Sequence, residues 1–387
     1  MSELGVGIIG CGVISTTYMQ NMPMFAGIAL RACADRNAER AAVQAAKFGV
    51  AALAPEELLR RDDIDIVVNL TGPMSHFAVS HAALTAGKHV FTEKPLTVAV
   101  DDGRRLVAEA ESRGLLLGSA PDTFLGAGGQ LARRMLDEGR IGQVVAGTIF
   151  LGAHGHEHWH PNPEFFYKPG GGPILDIGPY YLTALVNLLG PVAEVQAQGS
   201  IGSAERVVTA KGPREGDRIT VEVDTTVMAL LRFASGAQVT LTMSWDVWKH
   251  GHPPIEIYGT EGSLRVPDPN FFGGVIGVTA RDEEWRDVDS AGLPFGLPNY
   301  RSVSSPPTRP LQANYRCLGV AELASAIVAN TPHRASGRLA LHVLEVMTGI
   351  LDATADRCCV QFASVTERPA PLSDAAARAL AREGVAI

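Results

Sequence analysis

Two short stretches of this chain hold its first pointers to reactivity: Gly10-x-Gly12 in GVGIIGCGVIS and Lys94 in FTEKPLT. Gly10 permits a tight turn at the end of an apolar strand, and Gly12 lets the backbone approach a diphosphate. Amides from Val13 and Ile14 onward then open a helix facing that anion. The usual third glycine is replaced by Ser15. A lone glycine pair also fits an ordinary strand-to-helix turn, but Asp35 closes the next strand where a carboxylate accepts bonds from ribose hydroxyls. The same carboxylate repels a 2′-phosphate, so NAD is expected over NADP; Arg36 tempers this, because a guanidinium there could pair with the phosphate. FTEKPLT places a cationic Lys94 beside Glu93 and the stiff Pro95, where a nucleotide-binding unit should be finishing. Together the two stretches point to nicotinamide-dependent redox chemistry.

The elements that must position these residues follow from periodicity. Short apolar runs at 4–9, 28–34, 64–70, 88–92 and 115–118 alternate with amphipathic stretches at 38–48, 76–86 and 100–112. Such alternation predicts a parallel sheet covered on both faces, an α/β Rossmann domain over 1–122. Beyond it, runs at 144–151, 221–233 and 237–244 alternate apolar and small polar residues, with a hairpin turn at Ala234-Ser235-Gly236 and another in IEIYGTEGSLRV. An α+β domain with a largely antiparallel, open-faced sheet is therefore expected over 123–387. Residues 267–310, rich in Pro and Gly, read as an excursion over that sheet.

Composition limits the partners. The 387 residues are 46% apolar, and 41 acidic against 33 basic residues give a net charge of -8. That argues against nucleic acid or an anionic membrane as the main partner. No apolar run approaches the roughly 20 residues of a membrane span, and the amino terminus begins on strand residues rather than a cleavable leader, so a cytoplasmic enzyme is expected. Cysteines 11, 33, 317, 358 and 359 show no disulfide spacing, which suits a reducing compartment. Cys358 and Cys359 read as packing residues.

In GGGPILDIGPYYLTALVNLLG, Pro179 suits the first turn of a helix that runs to Leu189 before Gly190-Pro191 stops it. Leu182, Leu185, Val186 and Leu189 make its core stripe. Tyr180, Thr183, Ala184 and Asn187 make an opposite, more polar stripe that need not be core, with Asp176 one turn before Tyr180.

The chain resembles the glucose-fructose oxidoreductase, inositol dehydrogenase and rhizopine catabolism (Gfo/Idh/MocA) family over nearly its full length. GIIGCGVIS, NLTGPMSHF at 69–77, AGKHVFTEKPLT at 86–97, GGGPILDIGPYY at 170–181 and IEIYGTEGSL carry the resemblance. It implies a nicotinamide lying between the two domains, Lys94 and Asp176 in the active site, and Thr71, His76 and Glu93 around the cofactor. Many members place histidine four residues after the aspartate; Tyr180 stands there instead and resembles the tyrosine-containing branch. A phenol can donate or accept the substrate proton beside a stabilising cation, so either Lys94 or Tyr180 could do so. The expected reaction moves a hydride between the nicotinamide and a hydroxyl or keto group of a sugar, glycoside or cyclitol, with Asp176 holding a hydroxyl. Asp122, Thr123, Trp159 and His160 are candidate ring contacts.

Other readings stay open. An NAD-dependent, redox-assisted glycosidase or lyase could use the same scaffold, and a non-catalytic sensor would be expected to lose Lys94 or Asp176. In HGHEHWH, His154, His156, His158 and His160 would share one side of an extended strand and invite a metal. Gly155, Pro161 and Pro163 mark a loop, and the family's redox chemistry needs no metal, so none is expected. Finally, apolar residues on strands such as 223–231 and 239–243 would face water unless a second copy covered them. The resemblance likewise implies a homodimer or homotetramer through this sheet.

Overall fold

The computed structural model describes residues 3–301, 310–363 and 366–387. The first half alternates strands and helices: β1 (Leu4–Ile9), α1 (Val13–Asn21), β2 (Ile28–Ala34), α2 (Ala38–Phe48), β3 (Ala51–Leu53), α3 (Pro55–Leu59), β4 (Ile66–Asn69), α4 (His76–Thr85), β5 (His89–Thr92), α5 (Val100–Ser112) and β6 (Leu117–Ser119). The strands pair in parallel in the order β3-β2-β1-β4-β5-β6. Strand order reverses beside β1, which opens a crevice at the carboxyl ends of β1 and β4, the place where this topology binds ligands. Local chemistry agrees with the elements. Asn37 caps α2 by accepting from the amides of Glu39 at 3.0 Å and Arg40 at 3.2 Å, and Gly49 ends it with φ 67°.

The second half contains α6 (Ala127–Asp137), β7 (Val144–Gly152), α7 (Pro173–Asp176), α8 (Gly178–Leu189), β8 (Val192–Ser200), β9 (Glu205–Val207), β10 (Arg218–Thr220), β11 (Thr226–Phe233), β12 (Gln238–Ser244), β13 (Ile255–Gly259), β14 (Gly262–Val266), β15 (Val275–Ala280), β16 (Arg286–Asp289), α9 (Leu318–Ala329), α10 (Gly337–Asp356), β17 (Cys359–Gln361) and α11 (Asp374–Leu380). Nine strands form one sheet in the order β16-β15-β14-β13-β7-β12-β11-β8-β17, while β9 and β10 make a separate hairpin. Pairing is antiparallel except between β12 and β7. Helices α9 and α10 return to the parallel sheet, where Ser336 bridges to Gly118 and the Ser119 amide donates to the Ala335 carbonyl. Among the described residues, no helix is long and apolar enough to cross a membrane.

Several expectations need correction. The strand expected over 221–233 begins only at Thr226, and residues 267–310 are not a bare excursion, because β15 and β16 extend the sheet edge; residues 302–309 lie outside the described part. The polar stripe of α8 is not a surface, since every residue of that helix is buried. Val227, Ala229 and Leu231 of β11 and Val239, Leu241 and Met243 of β12 face the covered side. On these two strands the apolar residues left to the open face are Met228 and Leu230, at 57% and 41% exposure. Cys358 and Cys359 are exposed beside that face rather than packed.

Candidate active site

The crevice at β1 and β4 encloses about 780 Å³ and is lined by Gly10, Gly12, Asp35, Arg36 and Thr71. Gly10 has φ 106°, and a Cβ there would lie 2.5 Å from the Leu70 backbone, so only glycine fits the turn. A Cβ on Gly12 would meet nothing within 4 Å. That open space lies at the amino terminus of α1, where Val13 is 95% exposed and Ile14 partly so, leaving room for a diphosphate against the helix amides. Ser15 is buried and its hydroxyl donates to the Gly12 carbonyl at 2.6 Å, which stiffens the turn in place of a third glycine. Asp35 accepts from the Cys11 amide at 2.8 Å and the Asn37 amide at 2.8 Å, holding its carboxylate at the crevice wall with further lone pairs to offer. The residues therefore fit a dinucleotide.

Lys94 leaves the end of β5 and crosses to the second half of the chain. Its Nζ donates to the Asp176 carbonyl at 2.6 Å and to Asp176 Oδ1 at 3.2 Å, and it lies 5.3 Å from the centre of the Tyr180 ring. Burial works against its charge, but Asp176, Tyr180 and Glu93 outweigh that and raise its pKa above the ordinary lysine value. Burial likewise opposes the Asp176 charge, and Lys94 and His156 more than reverse it, lowering Asp176 to about 2. His156 Nε2 stands 3.4 Å from Asp176 Oδ2. Behind Lys94, Glu93 accepts from the Tyr18 hydroxyl at 2.8 Å and the Lys94 amide at 3.1 Å. His76 is fully buried, with its ring nitrogens 2.6 Å from the Pro95 carbonyl and 2.9 Å from that of Thr71. It clips the crevice wall to the turn that carries Lys94. Thr71 is fixed in turn by donating to Asn69 Oδ1 at 2.7 Å.

Residues 4–120 match the profile of the "Oxidoreductase family, NAD-binding Rossmann fold", and residues 130–265 match the "GFO/IDH/MocA C-terminal domain". The chain belongs to the GFO/IDH/MocA family. It is 30% identical to the 1,5-anhydro-D-fructose reductase of Ensifer adhaerens over 74% of this chain and 84% of that one. It is 28% identical to the levoglucosan dehydrogenase of Pseudarthrobacter phenanthrenivorans over 68% and 73%. The fold is similar to that of a levoglucosan dehydrogenase solved with NADH and levoglucosan, with a TM-score of 0.77, 22% identity and coverage of 94% of this chain and 100% of that one. The protein is thus an NAD-binding oxidoreductase.

Around this GFO/IDH/MocA centre, the remaining candidates divide. Asp122 and Thr123 do not reach an open surface: they are 1% and 3% exposed, and Asp122 accepts from the Gly319 amide at 2.9 Å at the start of α9. Burial pushes its pKa up to about 6, although the Gly319 amide and Arg316 pull the other way. Trp159 and His160 do border the site, with Trp159 half-exposed and its ring 5.4 Å from that of His156. The alternating histidines do not share one side, because Gly155 takes φ 62° and the segment turns. His156 goes to Asp176, whereas His154 stacks on His158 at 4.8 Å. His154, Glu157 and His158 bring ligand-capable atoms within 4.8 Å of one another, but Glu157 is already engaged by Arg206 and the Tyr167 hydroxyl. A metal there would have to compete with a guanidinium.

Sequence reasoning missed Arg316. Its guanidinium stands close enough to Tyr180 to feel its field, and it donates to Asn314 Oδ1 at 3.2 Å and Asn270 Oδ1 at 3.0 Å. Burial opposes its charge, and Tyr180, Glu93 and Asp122 outweigh that, so its pKa is raised. No motif marks it: it stands between a Pro-rich segment and an apolar helix, and only the return of the chain to the parallel sheet brings it to Tyr180.

Proposed function

We propose that this oxidoreductase acts on a secondary hydroxyl or keto group of a sugar, glycoside or cyclitol, using NAD in preference to NADP. One observation carries the reading: Lys94 from the nucleotide-binding half bonds Asp176, 3.2 Å from Nζ to Oδ1, beside the ring of Tyr180. The constellation offers a fixed cation, a fixed anion and a phenol, which suits a polyhydroxylated ligand that needs a partner for each buried hydroxyl. The activities named for the anhydrofructose and levoglucosan relatives support the same substrate class.

Bound nicotinamide supplies the hydride acceptor or donor. Lys94, held charged, donates to the reacting oxygen and stabilises negative charge developing there. Asp176, held ionised, accepts from a neighbouring hydroxyl and orients the ring. Tyr180 transfers the proton, and Arg316 steadies the phenol oxygen when the proton leaves. Asp35 accepts from the ribose hydroxyls, while Gly10, Gly12 and the amides of Val13 and Ile14 cradle the diphosphate. Five unpaired cysteines support a cytoplasmic location. The open sheet face holds a groove of about 980 Å³ with Met228 exposed in it, which supports a homodimer or homotetramer joined there.

A panel of aldoses, methyl glycosides and inositols with their keto forms, followed by absorbance of the reduced cofactor, tests the proposal. Turnover with at least one member and a higher kcat/KM for NAD are expected. Silence across the panel in both directions would overturn it.

A further inference from the structure

From the run of aromatic rings that begins at His156 beside Asp176, we infer that the preferred substrate is a glycoside with a planar, uncharged aromatic aglycone, stacked on Trp159 and Phe165. The inference rests on the proposed sugar chemistry at Lys94 and Tyr180 and adds what lies beyond the sugar. Trp159 and Phe165 leave 53% and 56% of their surfaces to solvent, unusual for such large rings on one short loop. They are not stray surface residues. The His156 ring, whose Nε2 is 3.4 Å from Asp176 Oδ2, packs on Phe166 at 3.8 Å, and Phe165 continues from Phe166 at 3.9 Å. His160 joins the ledge edge-on, 5.3 Å from Trp159 and 5.8 Å from Phe165. Burial holds the His160 pKa below its ordinary value, so the ledge carries no added charge near neutral pH.

The ledge is fixed relative to the reacting groups. The Gly171 and Gly172 amides donate to the Lys168 and Phe166 carbonyls at 2.8 Å each, and the Asp176 amide donates to Gly172 at 3.1 Å. The backbone thus runs directly from the exposed rings to the carboxylate proposed to hold the sugar. Trp159 is one ring from His156, and His156 is one contact from Asp176, a separation suited to a substituent next to a bound pyranose. Charge selects among substituents. The cations on this rim are matched: Lys168 pairs with Glu222 at 2.5 Å, and Arg214 with Glu164 at 3.1 Å and Asp217 at 2.9 Å. A phosphate or carboxylate appended to the sugar would meet those carboxylates, whereas an aryl group gains contact with rings that the described residues leave about half exposed.

Binding of phenyl and methyl pyranosides of glucose, galactose, mannose and xylose, in both anomers, to the enzyme with NAD would be measured by calorimetry, alongside turnover. At least one phenyl glycoside should bind roughly tenfold to a hundredfold tighter than its methyl counterpart, the scale of an aromatic stacking contact. Trp159→Ala should remove most of that difference, and Trp159→Phe should restore part of it. Phenyl preference without turnover would support the ledge and overturn the proposed oxidation instead. Equal binding of phenyl and methyl forms, no binding of either, or a preference that survives Trp159→Ala would overturn the inference. So would a change of oligomeric mass in Trp159→Ala, which would assign the ledge to a subunit contact.

Discussion

The nucleotide crevice and the floor around Lys94 and Asp176 are built by different means. The crevice uses backbone: a glycine turn, the amides at the start of α1, and a carboxylate pinned by the Cys11 and Asn37 amides at 2.8 Å each. Everything it needs lies within a few residues of three strand ends, those of β1, β2 and β4. The floor uses side chains from distant parts of the chain, with Lys94 paired to Asp176, His156 beside Asp176, and Arg316 held by Asn314 and Asn270. A backbone site tolerates changes in side chains nearby, because the amides remain. A floor of mutually held charges does not, because removing one leaves its partners buried and unmatched.

The sharpest way to break this contrast is at the floor. Tyr180→Phe should lower kcat roughly a hundredfold to ten-thousandfold, the usual contribution of a proton-transfer group, with little change in NAD affinity. Lys94→Ala should be comparably severe. If Lys94→Ala alone is severe and Tyr180→Phe turns over normally, the phenol is a packing residue and Lys94 carries the proton. Arg316→Gln, if Arg316 steadies the phenol, should shift the pH profile of kcat as well as its height, which a purely structural role would not do. The crevice should respond more mildly. Asp35→Ser leaves the diphosphate cradle intact and removes the charge that repels a 2′-phosphate, so the NAD over NADP preference should narrow by roughly tenfold. Steady-state kinetics with both cofactors would show it, and an unmodified enzyme that already prefers NADP would contradict the role given to Asp35.

The same contrast explains what could be read from the sequence. Strands β1 and β2 and helices α2 and α5 fall on the expected residues because each is a local pattern with its own start and stop. Gly10, Gly12 and Asp35 were legible for the same reason. Strands β15 and β16 were not, since β15 is a short run interrupted by glycine, β16 is mostly charged, and they are specified by pairing, β15 to β14 and β16 to β15. Tyr180 was misplaced as surface, because helical periodicity identifies the more apolar face and cannot show that the other is buried too. Arg316 needed the whole fold. Asp122 looked like a ring contact from its place after the last parallel strand, and α9 closes over that place with the Gly319 amide as its partner.

Asp122 gives the smallest and most specific test, because it and Asp176 are the same residue type driven in opposite directions. Asp176 has Lys94 and is lowered to about 2, so its contribution to stability is present above the unfolded value near 3.9 and fades as pH falls toward 2. Asp122 is buried, and burial outweighs the Gly319 amide, Arg316 and its own backbone amide, so it is pushed up to about 6. Between about pH 4 and 6 the native state then binds the proton that the unfolded state has released. The stability that this carboxyl contributes is present below about pH 4 and is lost as pH rises through 6, a change on the order of 1 to 3 kcal/mol. Asp122→Asn keeps an oxygen to accept from the Gly319 amide but does not titrate. Relative to the unmodified protein, the variant should therefore gain stability between pH 4 and pH 8 by that amount. Urea unfolding of both proteins without cofactor at pH 4, 6 and 8 measures it. A difference that stays flat across the range would mean that the carboxyl is ionised in the folded state, with Arg316 serving it rather than Tyr180.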